Sequence, residues 1–308
     1  MLRSTLEALA RRYVPGSGGV AIRPLAAGLT NESYCVSRGG AQYGLRVAMG
    51  GARDLGLDPG WECRVLGAAA AAGLAPAILH CEHSQGVLVT EWVVGRTWTP
   101  EEISRPAAVA AMAGLLRRVH SLPIPMPARI MHPVAWIALY ENALAAGPRQ
   151  QPARWPREDL SAALERQLEL LAEAEPATPV LCHSDLHRYN LVVGDAALGG
   201  GTGARAILLD WEYAHVTDPW WDLAGWASNN DWQAAEAERL ASRYLGRAPA
   251  AGERARLDSQ LWLYDYVCLL WSELYLRLRA GLEPTPSLSV QSVASRGDAL
   301  LRRLRRVR

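Results

Sequence analysis

The run His183-Ser184-Asp185-Leu186-His187-Arg188-Tyr189-Asn190 holds two histidines, a carboxylate and an amide on eight consecutive residues. Twenty residues after Asn190, an apolar stretch runs straight into Asp210-Trp211-Glu212. Phosphoryl transfer from a nucleotide needs oxygen ligands for the phosphate-bound Mg2+ and a carboxylate that orients the attacking hydroxyl. The first run places an acceptor at Asp185 and an amide oxygen at Asn190 on one tight loop. The strand ending at Asp210 delivers a second, charged metal ligand. A single Asp–Asn loop is also what an Asx turn looks like. Three segments in the right order and separation are not explained that way.

These residues need a frame to position them, and 308 residues is enough for one large domain or two lobes with a real core. Lys and Arg total 32 against 31 acidic residues, a formal net charge of +1, which excludes a nucleic-acid binder held by a broad basic field. Every one of the 32 basic residues is arginine, and phenylalanine is absent as well. No apolar run approaches a bilayer's thickness, and the first residues lack the pattern of a secretory signal. Neither a nucleic-acid partner nor a stable membrane anchor is expected, the oligomeric state is left open, and a soluble cytoplasmic protein is predicted. The five cysteines (Cys35, Cys63, Cys81, Cys182, Cys268) are odd in number and scattered, which predicts reduced thiols. His80-Cys81-Glu82-His83 sits at a predicted strand turn without further ligands, so no metal site is assigned there.

A short amphipathic helix is predicted over 1–13 and a hairpin over 33–37 and 42–48 around Gly39-Gly40. A helix follows over 59–72, stopped by Gly73 and Pro76, then a strand pair at 77–80 and 86–91. Beyond Gly95 the pattern turns helical: 106–120, 133–146, 157–175, and everything from 220 on. Short apolar pieces at 180–182, 191–193 and 206–209 interrupt it. The expectation is an α+β fold with two lobes, an antiparallel sheet lobe over 1–94 and a larger, mainly helical lobe over 95–308.

The combination HSDLHRYNLVV, ILLDWEYAHVTDPWWDLA, GLTNESYCV and YGLRVAMG resembles the aminoglycoside phosphotransferase and choline kinase superfamily over roughly residues 22–275. The resemblance implies a protein-kinase-like bilobal fold, an ATP- and Mg2+-dependent enzyme, and a role for each matching residue. Asp185 is the catalytic carboxylate, and Asn190 and Asp210 bind Mg2+. His183 and His187 brace the loop, and Asp222 anchors it from beneath. Gly28, Thr30 and Asn31 form the shortened nucleotide loop. Arg46 takes the phosphate-binding position where most kinase folds have lysine, with Glu62 as its partner. The base lies against the hinge near Glu91 and Val93.

Only eleven residues lie between Asp210 and Asp222, too few for the activation segment that docks a peptide, and Ser184 stands where protein kinases carry arginine. The partner is therefore a small-molecule alcohol. Aromatic residues crowd the C-terminal half, among them Tyr213, Trp220 and Trp271, and aromatic faces near a carboxylate suit a cationic amine. An amino alcohol (choline, ethanolamine or thiamine) leads; an aminoglycoside or sugar kinase, or a non-catalytic nucleotide-binding protein, are the alternatives. Cys268 falls where choline kinases tend to carry a second tryptophan. Glu273 reads equally as a pocket acid or a solvated helix residue, and the terminal LRRLRRVR as a solvated helix end.

Overall fold

A computed structural model describes residues 3–25, 29–49, 54–146, 153–174, 177–194, 206–280 and 290–306. These fall into two compact units, the first holding residues 3–96 and 192–212, the second 97–191, 213–280 and 290–306. The fold is α+β, with the antiparallel sheet in the N-terminal part and helices dominating the rest. Residues 192–194 and 206–212 belong by their contacts to the first unit, whereas a division at 94/95 would leave them in the helical lobe.

The first unit opens with helix α1 (Arg3–Tyr13). A five-stranded antiparallel sheet follows: β1 (Ala21–Pro24), β2 (Asn31–Arg38), β3 (Ala41–Ala48), β4 (Ile78–Glu82) and β5 (Val87–Glu91), in the order β1-β2-β3-β5-β4. Gly39 and Gly40, at φ 59° and 80°, make the tight β2–β3 turn, where positive φ at both positions matches the strand twist. Strand β1 is absent from the sequence reading because four residues ending in proline carry no alternation. It lies at the sheet edge, where proline is tolerated. Leu6, Ala10 and Val14 cover Val36, Leu45, Val87 and Val89 on one sheet face.

Between β3 and β4 lies α2 (Pro59–Ala71), started by Asp58, whose Oδ1 accepts the Trp61 amide at 2.9 Å, with proline in the first turn. Cys63 of α2 and Cys81 of β4 are joined as a disulfide. This corrects the expectation of five reduced thiols: a helix packed on a sheet brings together two cysteines eighteen residues apart, a proximity their spacing does not reveal. The argument for a cytoplasmic location from reduced thiols loses its ground with it. A closed loop of this size stabilises the folded chain by about 3 kcal/mol. Strands β6 (Val180–Cys182), β7 (Leu191–Val193) and β8 (Ala206–Leu208) are three residues each, and β7 pairs with β8. Val193 bridges Arg96, and the Leu208 amide donates to the Leu74 carbonyl at 2.8 Å, which ties β8 and the following Asp210 to the first unit.

Strand β6 belongs to the second unit and pairs with β9 (His215–Thr217), Cys182 opposite His215. Three residues without alternation gave β9 no sequence signal. The helices are α3 (Pro100–Ile103), α4 (Pro106–His120), α5 (Pro133–Ala146), α6 (Ser161–Glu173), α7 (Trp220–Asn229), α8 (Ala234–Leu245), α9 (Ala251–Arg279) and α10 (Val290–Leu304). The 29-residue α9 is the axis of the unit, packed by α5, α6, α7, α8 and α10. The predicted helix over 157–175 starts later, at Ser161, after a tight turn over Glu158–Leu160, and position 175 lies outside the described residues.

Glu273 is neither a pocket acid nor solvated. It is buried, accepts the amides of Arg154 and Trp155 at 3.1 and 3.2 Å, and pairs with Arg277 one turn on. The basic C-terminal segment is likewise not simply solvated, because Arg303 pairs with buried Asp265 and Arg305 with Asp159 at 2.7 Å. No described helix is long and apolar enough to cross a membrane.

Candidate active site

In the second unit, β6 ends at Cys182 and the chain turns sharply through His183 and Ser184. Ser184 has φ 69°, a left-handed conformation that costs a residue with a Cβ about 1–2 kcal/mol. Asp222, wholly buried in the first turn of α7, holds this turn: its Oδ1 accepts the Ser184 amide at 2.7 Å and its Oδ2 the His183 amide at 2.9 Å. His120 of α4 adds a contact from Nε2 to Asp222 Oδ2 at 3.1 Å, and its Nδ1 meets the Tyr244 hydroxyl at 2.8 Å. Burial works against the Asp222 charge, but the His120 hydrogen bond and charge, with His183 and the Ser184 amide, hold its carboxyl below the usual range. His120, Cys182 and Asp222 are the one group among the described residues close enough to share a metal ion. Its polar atoms are already committed, Asp222 to the loop amides, His120 to Asp222 and Tyr244, and the Cys182 thiol to the Asp218 carbonyl. Burial first, then Asp222, push that thiol well up and keep it protonated.

Asp185 stands at the apex of this loop, its side chain 30% exposed. His183 is fully buried, and its Nδ1 accepts the Asp185 amide at 3.3 Å. His187 caps the turn over Arg188–Asn190, Nδ1 accepting the Tyr189 amide at 3.2 Å, and its Nε2 lies 3.8 Å from Asp185 Oδ2. Buried Asn190 points its amide nitrogen at the Asp185 carbonyl (3.0 Å) and Oδ2 (3.1 Å). Its Oδ1 therefore faces away from Asp185.

The first unit holds a charge cluster. Arg46 on β3 donates to Glu62 of α2 at 2.5 Å and to Asp210 Oδ1 at 2.8 Å. Asp210 follows β8 in a left-handed conformation, φ 63°. Two residues on, buried Glu212 accepts the Thr30 hydroxyl at 2.5 Å and the Asn31 amide at 2.6 Å. Burial, then the Asp210 charge, push the Glu212 carboxyl well above the usual range, against the pull of Arg46 and the Thr30 hydrogen bond. Burial would lower Arg46, but Glu62, Asp210 and Glu212 together raise it, so it stays charged. A cavity lined by Asn31, Arg46, Asp58, Glu62, His83 and Glu212 opens beside this cluster.

Sequence reasoning assigned Thr30 and Asn31 to a phosphate; in this structure both side chains are taken by Glu212, which that reasoning passed over. The only signal for Glu212 was its place in Asp-Trp-Glu. Gly28 lies outside the described residues. Glu91 is exposed and its amide donates to the Ala77 carbonyl at 2.9 Å, while Val93 is half-buried beyond the end of β5.

Of the aromatic residues, Tyr213 and Trp271 meet: the indole N–H donates to the phenol oxygen at 2.7 Å. Trp271 stacks on Tyr275 at 5.0 Å, and Tyr213 lies 6.2 Å from the Trp136 ring. Trp220 is buried at the first position of α7, its amide on Asp218 Oδ1 at 2.9 Å.

His215, fully buried, sits beneath this group. The Trp136 N–H can only donate, so His215 Nε2 accepts it (3.3 Å) and Nδ1–H donates to the Tyr213 carbonyl (2.8 Å). Burial first, then Arg129, bring the His215 pKa down to about 4 from an ordinary 6.5. Between those values the unfolded chain binds a proton that the folded chain does not, so stability falls as pH falls through this window, by up to about 3 kcal/mol. Urea unfolding from pH 7 to 4.5 should show that slope in the native chain and lack it in His215→Gln. Equal slopes in both would disprove the assignment.

The sequence pattern of the phosphotransferase enzyme family matches residues 21–258. No curated protein matches the chain in sequence. Among solved structures, a choline/ethanolamine kinase family protein from Mesorhizobium loti is 25% identical, covers 99% of this chain and 95% of its own, and superposes with a TM-score of 0.72. A choline kinase from Streptococcus pneumoniae is 20% identical over 97% of this chain and 98% of its own, TM-score 0.74, and has also been solved with AMP. A spectinomycin phosphotransferase bound to ADP and spectinomycin is 12% identical over 98% of this chain and 97% of its own, TM-score 0.62.

Proposed function

This chain belongs to the phosphotransferase enzyme family, and we propose that it transfers the γ-phosphoryl group of ATP, with Mg2+, to the hydroxyl of a small amino alcohol such as choline, ethanolamine or thiamine. The observation that carries this reading is the state of Asp185. It is a partly exposed carboxylate on a loop whose backbone is fixed by a buried carboxylate and a buried histidine. Such a group orients a hydroxyl and takes its proton as the new O–P bond forms and the β–γ bridging P–O bond breaks, releasing ADP.

Asn190 Oδ1 and the Asp210 carboxylate are hard oxygen donors of the kind Mg2+ prefers. Asn190 and Asp210 would hold the ion, which neutralises charge on the transferring phosphate. Arg46 presents a guanidinium to the nucleotide phosphates while Glu62 fixes its direction. The hinge assignment rests on the Val93 main chain, since the Glu91 amide is already committed. The partly open Tyr213–Trp271 pair supports a cationic acceptor through the faces of its rings, whereas Trp136 is buried behind it with Arg129 over its ring.

The test is ADP release by purified protein with Mg2+ and ATP, across choline, ethanolamine, thiamine, aminoglycosides and sugars. Turnover with one of the three amino alcohols, at least about tenfold above the rest, is expected. Turnover with a sugar or an aminoglycoside alone would replace the acceptor assignment. Nucleotide binding without turnover on any acceptor would leave a nucleotide-binding scaffold.

A further inference from the structure

The backbone carbonyls on either side of Asp185 are held by side chains of α9 and α7. The Ser184 carbonyl accepts the Tyr264 hydroxyl at 3.1 Å, and the Leu186 carbonyl accepts the Asn229 amide nitrogen at 3.1 Å. The same amide nitrogen donates to the Tyr264 hydroxyl at 2.9 Å. Asn229 Oδ1 in turn accepts Arg296 Nη2 at 2.5 Å. The donors therefore run in one direction, from α10 through the end of α7 to α9 and the loop.

An asparagine amide can be turned either way, but a guanidinium has no acceptor atom. Arg296 therefore dictates that Oδ1 faces it and that Nδ2 faces the loop. The Tyr264 ring is placed from the other side by Gly225 of α7, where a Cβ would come within 2.9 Å of it. Burial keeps the Tyr264 phenol protonated, as donation to Ser184 requires. Tyr264 and Arg296 both lie beyond residues 21–258 that the family pattern covers.

The geometry points to Arg296 as a positioning residue for the reaction: through Asn229 and Tyr264 it fixes the two carbonyls that flank Asp185, and so the aim of that carboxylate. The inference rests on Asp185 being the reacting carboxylate. Aligned donors polarise one another, and a charged donor at the head of the chain makes its first link the strongest.

The experiment compares Arg296→Met and Arg296→Lys in the full chain by amide hydrogen exchange over residues 183–190 and by phosphotransfer kinetics. Circular dichroism checks the fold of each. In Arg296→Met the loop amides should exchange about ten- to a hundredfold faster, the range of one charge-assisted hydrogen bond, with kcat down by a similar factor and KM for ATP within about twofold. Arg296→Lys, which keeps a cationic donor for Oδ1, should recover most of both, and added guanidinium should partly restore Arg296→Met. Should Arg296→Met not fold, Arg296→Leu, which likewise lacks a donor, gives the same readouts.

Unchanged loop exchange in a folded variant overturns the inference. So does faster exchange spread evenly over α7 and α9, which would make Arg296 a packing residue. Selective loosening of the loop in a protein that turns over no acceptor would sustain the brace while the proposed function fails.

Discussion

Asp185→Asn is expected to lose about 10²- to 10⁴-fold in kcat, the range that a positioned general base contributes, while KM for ATP stays within about twofold. The substitution is close to isosteric, and the amide oxygen it introduces can still accept from Asn190, so the loop should keep its shape. What is removed is the negative charge and, in the proposed reaction, the acceptor of the substrate hydroxyl's proton. The loop backbone does not depend on that carboxylate, because Asp222 carries the Ser184 amide and His183 the Asp185 amide. The melting temperature should therefore stay close to that of the native chain, which separates loss of chemistry from loss of fold. Initial rates with ATP varied at saturating acceptor decide the matter. Retention of more than about a tenth of kcat would move the base elsewhere, His187 at 3.8 Å from Asp185 Oδ2 being the nearest candidate.

The separation between what this sequence disclosed and what it hid follows sequence distance. The compact loop over 183–190 could be read because its residues lie within eight positions of one another, so local spacing fixes their geometry. The β2–β3 hairpin could be read for the same reason, since Gly39-Gly40 specifies its own turn. Arg46 and Glu62 sit sixteen residues apart on a strand and the helix after it, a connection the chain order nearly enforces.

Glu212 was out of reach because its partners, Thr30 and Asn31, lie 182 and 181 residues away, and a buried glutamate has no sequence mark distinguishing it from an exposed one. His120, 102 residues before Asp222, reads as an ordinary helix-end histidine until the fold delivers it. The same holds for Cys63 with Cys81, whose bond depends on how α2 lies on the sheet, and for Arg303, whose basic run gives no hint of buried Asp265. The aromatic residues failed differently. Their number was plain, but whether a tryptophan lines a site or fills a core depends on which helix face is covered, and Trp220 is buried while Trp271 is partly open.

Arg46→Met should destabilise the chain by about 3–5 kcal/mol near neutral pH, the largest stability loss predicted for a single substitution here. Arg46 is the cation shared by three carboxylates, Glu62, Asp210 and Glu212, and its side chain is only 18% exposed. Methionine fills similar volume, so the loss comes from charge and not from a cavity. Without the guanidinium, Glu212 is driven further toward its protonated form, since burial and the Asp210 charge already push it well up. A carboxyl whose folded pKa lies above its unfolded value stabilises the folded state fully at low pH and loses that contribution as pH rises through the folded pKa. The deficit of Arg46→Met against the native chain should accordingly be small near pH 4.5 and grow toward pH 8. Arg46→Lys keeps the charge but not the two-armed reach to Glu62 and Asp210, and should recover about half of the loss. Glu62→Gln added to Arg46→Met should restore more than about 1 kcal/mol, because it removes one of the stranded charges. Urea unfolding at both ends of the pH range measures all of these, and a deficit independent of pH would mean that packing, not charge, holds Arg46 in place. In the proposed reaction the same balance suits an arginine: a nucleotide phosphate would meet a cation whose charge no change of pH in the working range removes, already directed by Glu62.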